Sequence, residues 1–174
     1  MKTLGPIDHG TPRRPDTHPV SLSIDGRAVT VPAGASVMRA ASEAGTQIPR
    51  LCATDRLEPF GSCRLCLVEI DGRRGYPASC TTPVADGMQV RTRSDKLQQI
   101  RRGVVELYLS DHPGTSRLAE AGPDGCGDDE LLRLARQLGV TENRYGPGGR
   151  SHAQVAIDAS NPYFSYDPSK CIVC

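Results

Sequence analysis

Tryptophan is absent from this chain of 174 residues, and phenylalanine occurs only twice. A core built on large aromatic rings is therefore excluded, and burial must rest on Val, Leu, Ile and Ala. A core of that kind is modest, and a bound metal could add stability that it cannot supply alone. No stretch approaches the roughly 20 apolar residues of a membrane span, so no membrane insertion is expected. Neither sign of charge dominates: 21 Lys and Arg face 20 Asp and Glu, a net charge of +1. That balance gives no basic footprint for nucleic acid or an anionic surface. The first nineteen residues also lack the apolar run of a secretory signal, and Arg13-Arg14 is followed by Pro15 and Asp16. The expectation is a cytoplasmic protein, where grouped cysteines are metal ligands more often than disulfides.

What the chain does have is sulfur. Four of its seven cysteines, Cys52, Cys63, Cys66 and Cys80, are spaced C-x10-C-x2-C-x13-C. Soft, anionic thiolates gathered on a loop between strands suit an iron–sulfur cluster. Two other readings stay open. A structural zinc site could use Cys63-x2-Cys66 as one knuckle, although zinc sites usually present two, and Cys52 and Cys80 stand alone. A thioredoxin-like pair would open a helix, whereas this C-x-x-C leads into strand-like residues.

Around the cysteines the pattern is that of a small α+β domain. Val20, Leu22 and Ile24 alternate with polar residues, Asp25-Gly26 supplies a two-residue turn, and Val29 and Val31 continue on a return strand. Ser36 is placed to cap a helix over 37–44, with Val37, Ala40, Ala41 and Ala44 on one stripe and Gly45 as its stop. Strands are expected over 67–70 and 88–92, with Cys80 in the connection between them. Further on, Leu97, Ile100, Val104 and Leu107 fall at helical spacing over 95–109 behind a Ser94 cap. A second helix is expected over 129–138, with Asp128 and Asp129 as caps and Gly139 as its stop. The organisation that follows is a disordered lead-in (1–19), a sheet domain (20–93), a helical region (94–139) and an extended C-terminal segment (140–174). In that last segment the aromatics of 161–166 are expected to pack onto something.

From about 20 to 92 the chain resembles the 2Fe–2S β-grasp ferredoxin module. The residues that carry the likeness are Gly34-Ala35-Ser36, the run Ile48-Pro49-Arg50-Leu51-Cys52, and Gly61-Ser62-Cys63-Arg64-Leu65-Cys66-Leu67-Val68-Glu69. The ten-residue first gap resembles the form found in the large iron–sulfur subunit of complex I, the diaphorase part of NAD-reducing hydrogenases, and the α subunit of NAD-dependent molybdenum formate dehydrogenases. The resemblance implies a 2Fe–2S cluster on Cys52, Cys63, Cys66 and Cys80. Gly61, Ser62 and Arg64 would wrap it, and Arg50, Arg56 and Arg64 would form a positive rim.

Two further cysteine signals lie downstream. In those relatives a His-x3-Cys-x2-Cys-x5-Cys set binds a 4Fe–4S centre. Here Asp111-His112-Pro113 resembles its opening, but Ser116 and Ala119 fill two ligand positions and Cys126 falls one residue late, so the set reads as degenerate. The ending Asp167-Pro168-Ser169-Lys170-Cys171-Ile172-Val173-Cys174 resembles the first half of a 4Fe–4S binding run. A native dithiol or zinc pair at Cys171 and Cys174 is the alternative. With Asn161-Pro162-Tyr163-Phe164-Ser165-Tyr166 before it, this end looks particularly like the formate dehydrogenase α subunit. The implied function is electron transfer between a flavin/NADH-side iron–sulfur subunit and further clusters, without catalysis by this stretch itself. A hydrogenase or complex I subunit, or a zinc-held interaction module, are the alternatives.

Overall fold

Alternation of apolar and polar residues over Val20–Ile24 produces β1 (Pro19–Ile24), which buries Val20, Leu22 and Ile24 on one face. The chain then reverses through Asp25 and Gly26, both at positive φ (50° and 80°), as a two-residue turn matched to strand twist requires. It returns as β2 (Arg27–Pro32), paired antiparallel with Val20 opposite Val31 and Ile24 opposite Arg27. After α1 (Val37–Glu43) and a long loop come β3 (Glu69–Ile70) and β4 (Gln89–Arg91). β4 pairs parallel with β1 and antiparallel with β3, which gives the sheet order β2-β1-β4-β3. This mixed sheet with a few helices is the α+β fold expected from the sequence.

This computed structural model describes residues 7–15, 18–112, 129–142, 144–145 and 155–172. The chain divides into two units, 1–97 and 98–174.

Three expectations for the first unit need correction. The strand expected over 67–70 keeps only Glu69 and Ile70 in the sheet. Leu67 instead forms a bridge with Ala78, and the Val68 N–H donates to the Pro77 carbonyl at 3.0 Å. The residues before β3 are thus diverted to the segment that carries Cys80. On α1, Met38 and Arg39 are buried beside the small residues of the stripe, so the helix is enclosed on more than one side. Residues 7–15, expected to be disordered, lie against the domain. Thr11 is buried, its hydroxyl is 2.8 Å from Ser36 Oγ, and its backbone carbonyl accepts from Arg39.

α2 (Asp95–Ser110) begins at the end of the first unit, with Ser94 Oγ accepting from the Leu97 N–H. Its buried row is Leu97, Arg101, Val105 and Leu109, whereas Leu107 is exposed. The apolar count pointed to a different row because a buried arginine interrupts this one. In the second unit, α3 (Glu130–Gln137) is capped by Asp129, whose carboxylate accepts from the Leu132 N–H at 3.1 Å. Leu131, Leu132, Leu134, Ala135 and Leu138 are buried, and Gly139, at φ 69°, ends the helix. Arg102 Nε and Gln98 Nε2 donate to the Leu138 carbonyl at that end. Asp128 lies outside the described residues. Further on, Asp158 and Tyr166 pair through backbone bonds of 2.9 and 2.8 Å, and Pro168–Lys170 makes one 3-10 turn. Tyr163 is 93% exposed and Phe164 64%, so among the described residues nothing covers these aromatics. Among the described residues no helix is long and apolar enough to cross a membrane.

Candidate metal centre

Cys63, Cys66 and Cys80 are buried to within 2% of full enclosure, and Cys52 is half-buried. Three local devices bring them there. The first is a reversal around Cys63, where Gly61 sits at φ 76° and Arg64 at φ 55°. A side chain at Gly61 would meet only ordinary contacts, so glycine serves the backbone angle there rather than space. The second is the diversion before β3, in which the Ser79 N–H donates to the Cys66 carbonyl at 3.0 Å and draws the two strand ends together. The third is the N-terminus of α1. Its first N–H groups, which have no partner inside the helix, donate to carbonyls on either side of Cys80: Val37 to Thr82 at 2.9 Å and Met38 to Ser79 at 3.1 Å.

Two contacts link the four cysteines. Cys66 Sγ and Cys80 Sγ share a contact of 3.4 Å. That is far too long for a disulfide and close to the roughly 3.8 Å edge of a tetrahedron with metal–sulfur bonds of about 2.3 Å. The Cys63 N–H points at Cys52 Sγ, 3.4 Å away. Among the described residues no three His, Cys, Asp or Glu side chains surround a single point suited to one ion.

Proton affinities follow the pairing. The hydrogen bond shared with Cys80 draws the Cys66 thiol down to about 6 against the opposing effect of burial, while the same bond and burial push Cys80 up. Burial pushes Cys52 up to about 11, although the Cys63 N–H favours its thiolate. Beside them the Ser79 hydroxyl is fully buried with no oxygen or nitrogen partner, a costly state for a polar group. It lies near enough to Cys66 to favour that thiolate. Four thiols, an N–H aimed at sulfur and an orphaned hydroxyl fit a sulfur-rich anionic group.

Residues 17–95 match the family described as "2Fe-2S iron-sulfur cluster binding domain". This segment is a 2Fe–2S ferredoxin-like domain, homologous to iron–sulfur subunits of NAD(P)-linked redox enzymes. Over 160 residues the chain is 38% identical to the NADP-reducing hydrogenase subunit HndD of Solidesulfovibrio fructosivorans, an alignment that takes in 89% of this chain and 26% of that protein. It is 34% identical over 157 residues to the mitochondrial NADH-ubiquinone oxidoreductase 78 kDa subunit of Candida albicans, covering 89% of this chain and 21% of that one. The crystal structure of an NAD+-reducing NiFe-hydrogenase in its H2-reduced state superposes with a TM-score of 0.74 at 34% identity, covering 89% of this chain and 62% of that chain. This chain therefore spans about a fifth to a quarter of the length of these curated relatives.

The remaining candidates are distributed as follows. Ser62 is half-buried and Arg64 exposed within the loop that reverses around Cys63, and Arg56 is exposed. Arg50 does not stand free on a rim, because it pairs with Asp8 at 3.1 Å. In the second unit His112 Nε2 is 3.3 Å from Asp129 Oδ2, so the ring engages the carboxylate that caps α3. Cys171 is half-buried and interacts with Tyr166, whose hydroxyl it pushes up. Ser116, Ala119, Cys126 and Cys174 lie outside the described residues. Sequence reasoning missed Ser79, Arg39, Asp8 and Thr11; the only available signal was the position of Ser79 next to Cys80.

Proposed function

We propose that Cys52 and Cys63 hold one iron and Cys66 and Cys80 the other of a 2Fe–2S cluster, and that the chain is the electron-transfer portion of a larger NAD(P)-linked redox subunit. The observation that carries this reading is the gathering of four cysteines, three of them buried, with Cys66 Sγ against Cys80 Sγ and the Cys63 N–H against Cys52 Sγ. When bound, the cluster takes up and releases one electron at a time. The chain's own residues set the terms of that exchange. Buried surroundings exclude water from three of the sulfurs, while the Cys63 N–H and the Ser79 hydroxyl offset negative charge on sulfur.

The named relatives support a hydrogenase or complex I-type subunit, with a flavin/NADH-side iron–sulfur subunit as partner, over the formate dehydrogenase reading. The latter rests on the run from Asn161 to Cys174 alone. Formate oxidation would in any case belong to a domain outside these 174 residues. A 4Fe–4S site using Cys171 and Cys174 would likewise need ligands from elsewhere.

Anaerobic purification followed by iron and sulfide analysis, visible absorption and EPR after dithionite tests the proposal. Two irons per chain with a red-brown colour are expected. Zinc, or a colourless metal-free protein, overturns the assignment. About six irons would instead show that the downstream His/Cys set is occupied.

A further inference from the structure

We infer that residues 8–14 are a positioning clamp, holding the ten-residue loop between Cys52 and Cys63 against α1 and thereby retaining the cluster. The inference rests on the cluster reading above. The keystone is Arg39. A buried guanidinium is tolerated only when its donors are met, and this one is met from two directions at once. The Thr11 carbonyl of the clamp accepts from Nε at 3.0 Å and also from Nη2, and Asp55 of the loop accepts from Nη2 at 3.1 Å. Asp55 Oδ1 also accepts from the Thr11 N–H at 3.2 Å, so clamp and loop meet on the same carboxylate.

The Asp8 carboxylate repeats the arrangement close to Cys52. It accepts from the Thr54 hydroxyl at 2.8 Å, from the Asp55 N–H at 3.1 Å and from the clamp's own Gly10 N–H at 2.7 Å, and it pairs with Arg50. Burial raises the Asp8 acid, but these hydrogen bonds and Arg50 together hold it below its ordinary value. Arg14 adds a two-pronged bond to Glu58 on the outer edge, at 3.0 and 2.8 Å. Between these anchors Gly10 is buried at φ 87°, where a Cβ would run into the Arg50 guanidinium and Met38 Sδ. Thr11, Pro12 and Arg14 also line one cleft together with Cys80 and Thr81. The clamp therefore stands beside both thiol pairs, next to the loop that begins with the least enclosed thiol.

The test compares the loaded full chain with Gly10→Val, Asp8→Ala, Asp8→Asn and Arg14→Ala, each checked for folding by far-UV circular dichroism. Chelator-driven bleaching of the visible absorption reports cluster loss, and trypsin cutting after Arg56 in the cluster-free chain reports loop release. Gly10→Val is expected to speed both by roughly tenfold, the scale of one lost charge-assisted hydrogen bond. Asp8→Ala should act in the same direction and Asp8→Asn recover part of the effect. The exposed Arg14→Ala should stay within about twofold. Greater water access should also raise the midpoint potential in Gly10→Val, which a purely global loss of stability would not do. If Gly10→Val does not fold, Asp8→Ala decides. Release of the clamp with unchanged bleaching and unchanged cutting at Arg56 overturns the inference. A wild-type chain without iron–sulfur absorption defeats the cluster reading, while the trypsin comparison still judges the clamp.

Discussion

Two regions of this chain carry cysteines in ligand-like spacing, and they differ in what has been arranged around the sulfur. Around Cys63 the backbone turns through two positive-φ residues, Gly61 and Arg64, α1 gives its first N–H groups to the chain flanking Cys80, and the four cysteines come near one another. In the second unit only two groups of the corresponding sets, His112 and Cys171, are among the described residues, and both have other neighbours. His112 faces the helix-capping Asp129, and Cys171 interacts with Tyr166 on a segment whose aromatics are exposed. Ligand spacing in the sequence is therefore only an opportunity. A binding site also needs the surrounding backbone to aim the donors at one another.

The strongest challenge to this contrast is to remove one sulfur from each region. Cys66→Ala should abolish the visible chromophore and its iron, because a tetrathiolate site missing one ligand leaves an iron incompletely held. Cys171→Ala should leave iron content and spectrum unchanged. Iron analysis of the two variants side by side reverses the contrast if Cys171 proves to be the one required.

Next in size is a matched pair of core truncations. Leu65, between Cys63 and Cys66, and Leu132 on α3 are both fully buried. Each change to Ala should cost about 2–5 kcal/mol in urea unfolding. Only Leu65→Ala should also release iron, and equal iron loss from both would remove the distinction between the regions.

A smaller effect separates sulfur chemistry from helix capping. Ser79→Ala deletes the buried hydroxyl beside Cys66, so the more negative reduced state loses a donor and the midpoint potential should fall, with Ser79→Thr restoring it. Asp129→Ala removes a cap and should cost about 1 kcal/mol without moving the potential. Redox titration followed by EPR distinguishes the two.

The smallest effect is acid sensitivity at the edge of the first sheet. The Ser94 hydroxyl, followed by Arg91, holds the Glu69 carboxyl below its ordinary value of 4.5. A depressed carboxyl contributes stability above that ordinary value and loses it as pH falls through the folded value. Wild-type Tm should therefore drop more steeply than that of Glu69→Gln below about pH 4.5. Parallel curves would show that this contact carries no stability.

Much of the first domain was legible in the chain itself, because its signals are local. Asp25-Gly26 demands a tight reversal, Ser36 and Asp129 sit where helices need a cap, and the alternation of Val20, Leu22 and Ile24 has the period of a half-buried strand. The failures have the opposite origin. The row Leu97, Arg101, Val105 and Leu109 was hidden because a charged residue breaks its apolar period. Residues 7–15 read as a loose tail because polar, Pro-rich composition does not reveal that Arg39 needs the Thr11 carbonyl. The exposed ring of Tyr163 shows the converse, an apolar signal with no packing inside its own unit.

The amino-acid order by itself determined the four-thiol set, the hairpin and the helix limits, since each depends on chemistry within a few residues. Only the tertiary structure decided which of those cysteines approach one another, which buried hydroxyl lies beside Cys66, and that the N-terminal segment hydrogen-bonds to Thr54 and Asp55. These depend on groups up to 47 positions apart, as in the bond from the Asp55 N–H to Asp8. No local preference encodes such meetings; they arise when buried charges and backbone donors find partners in the folded chain.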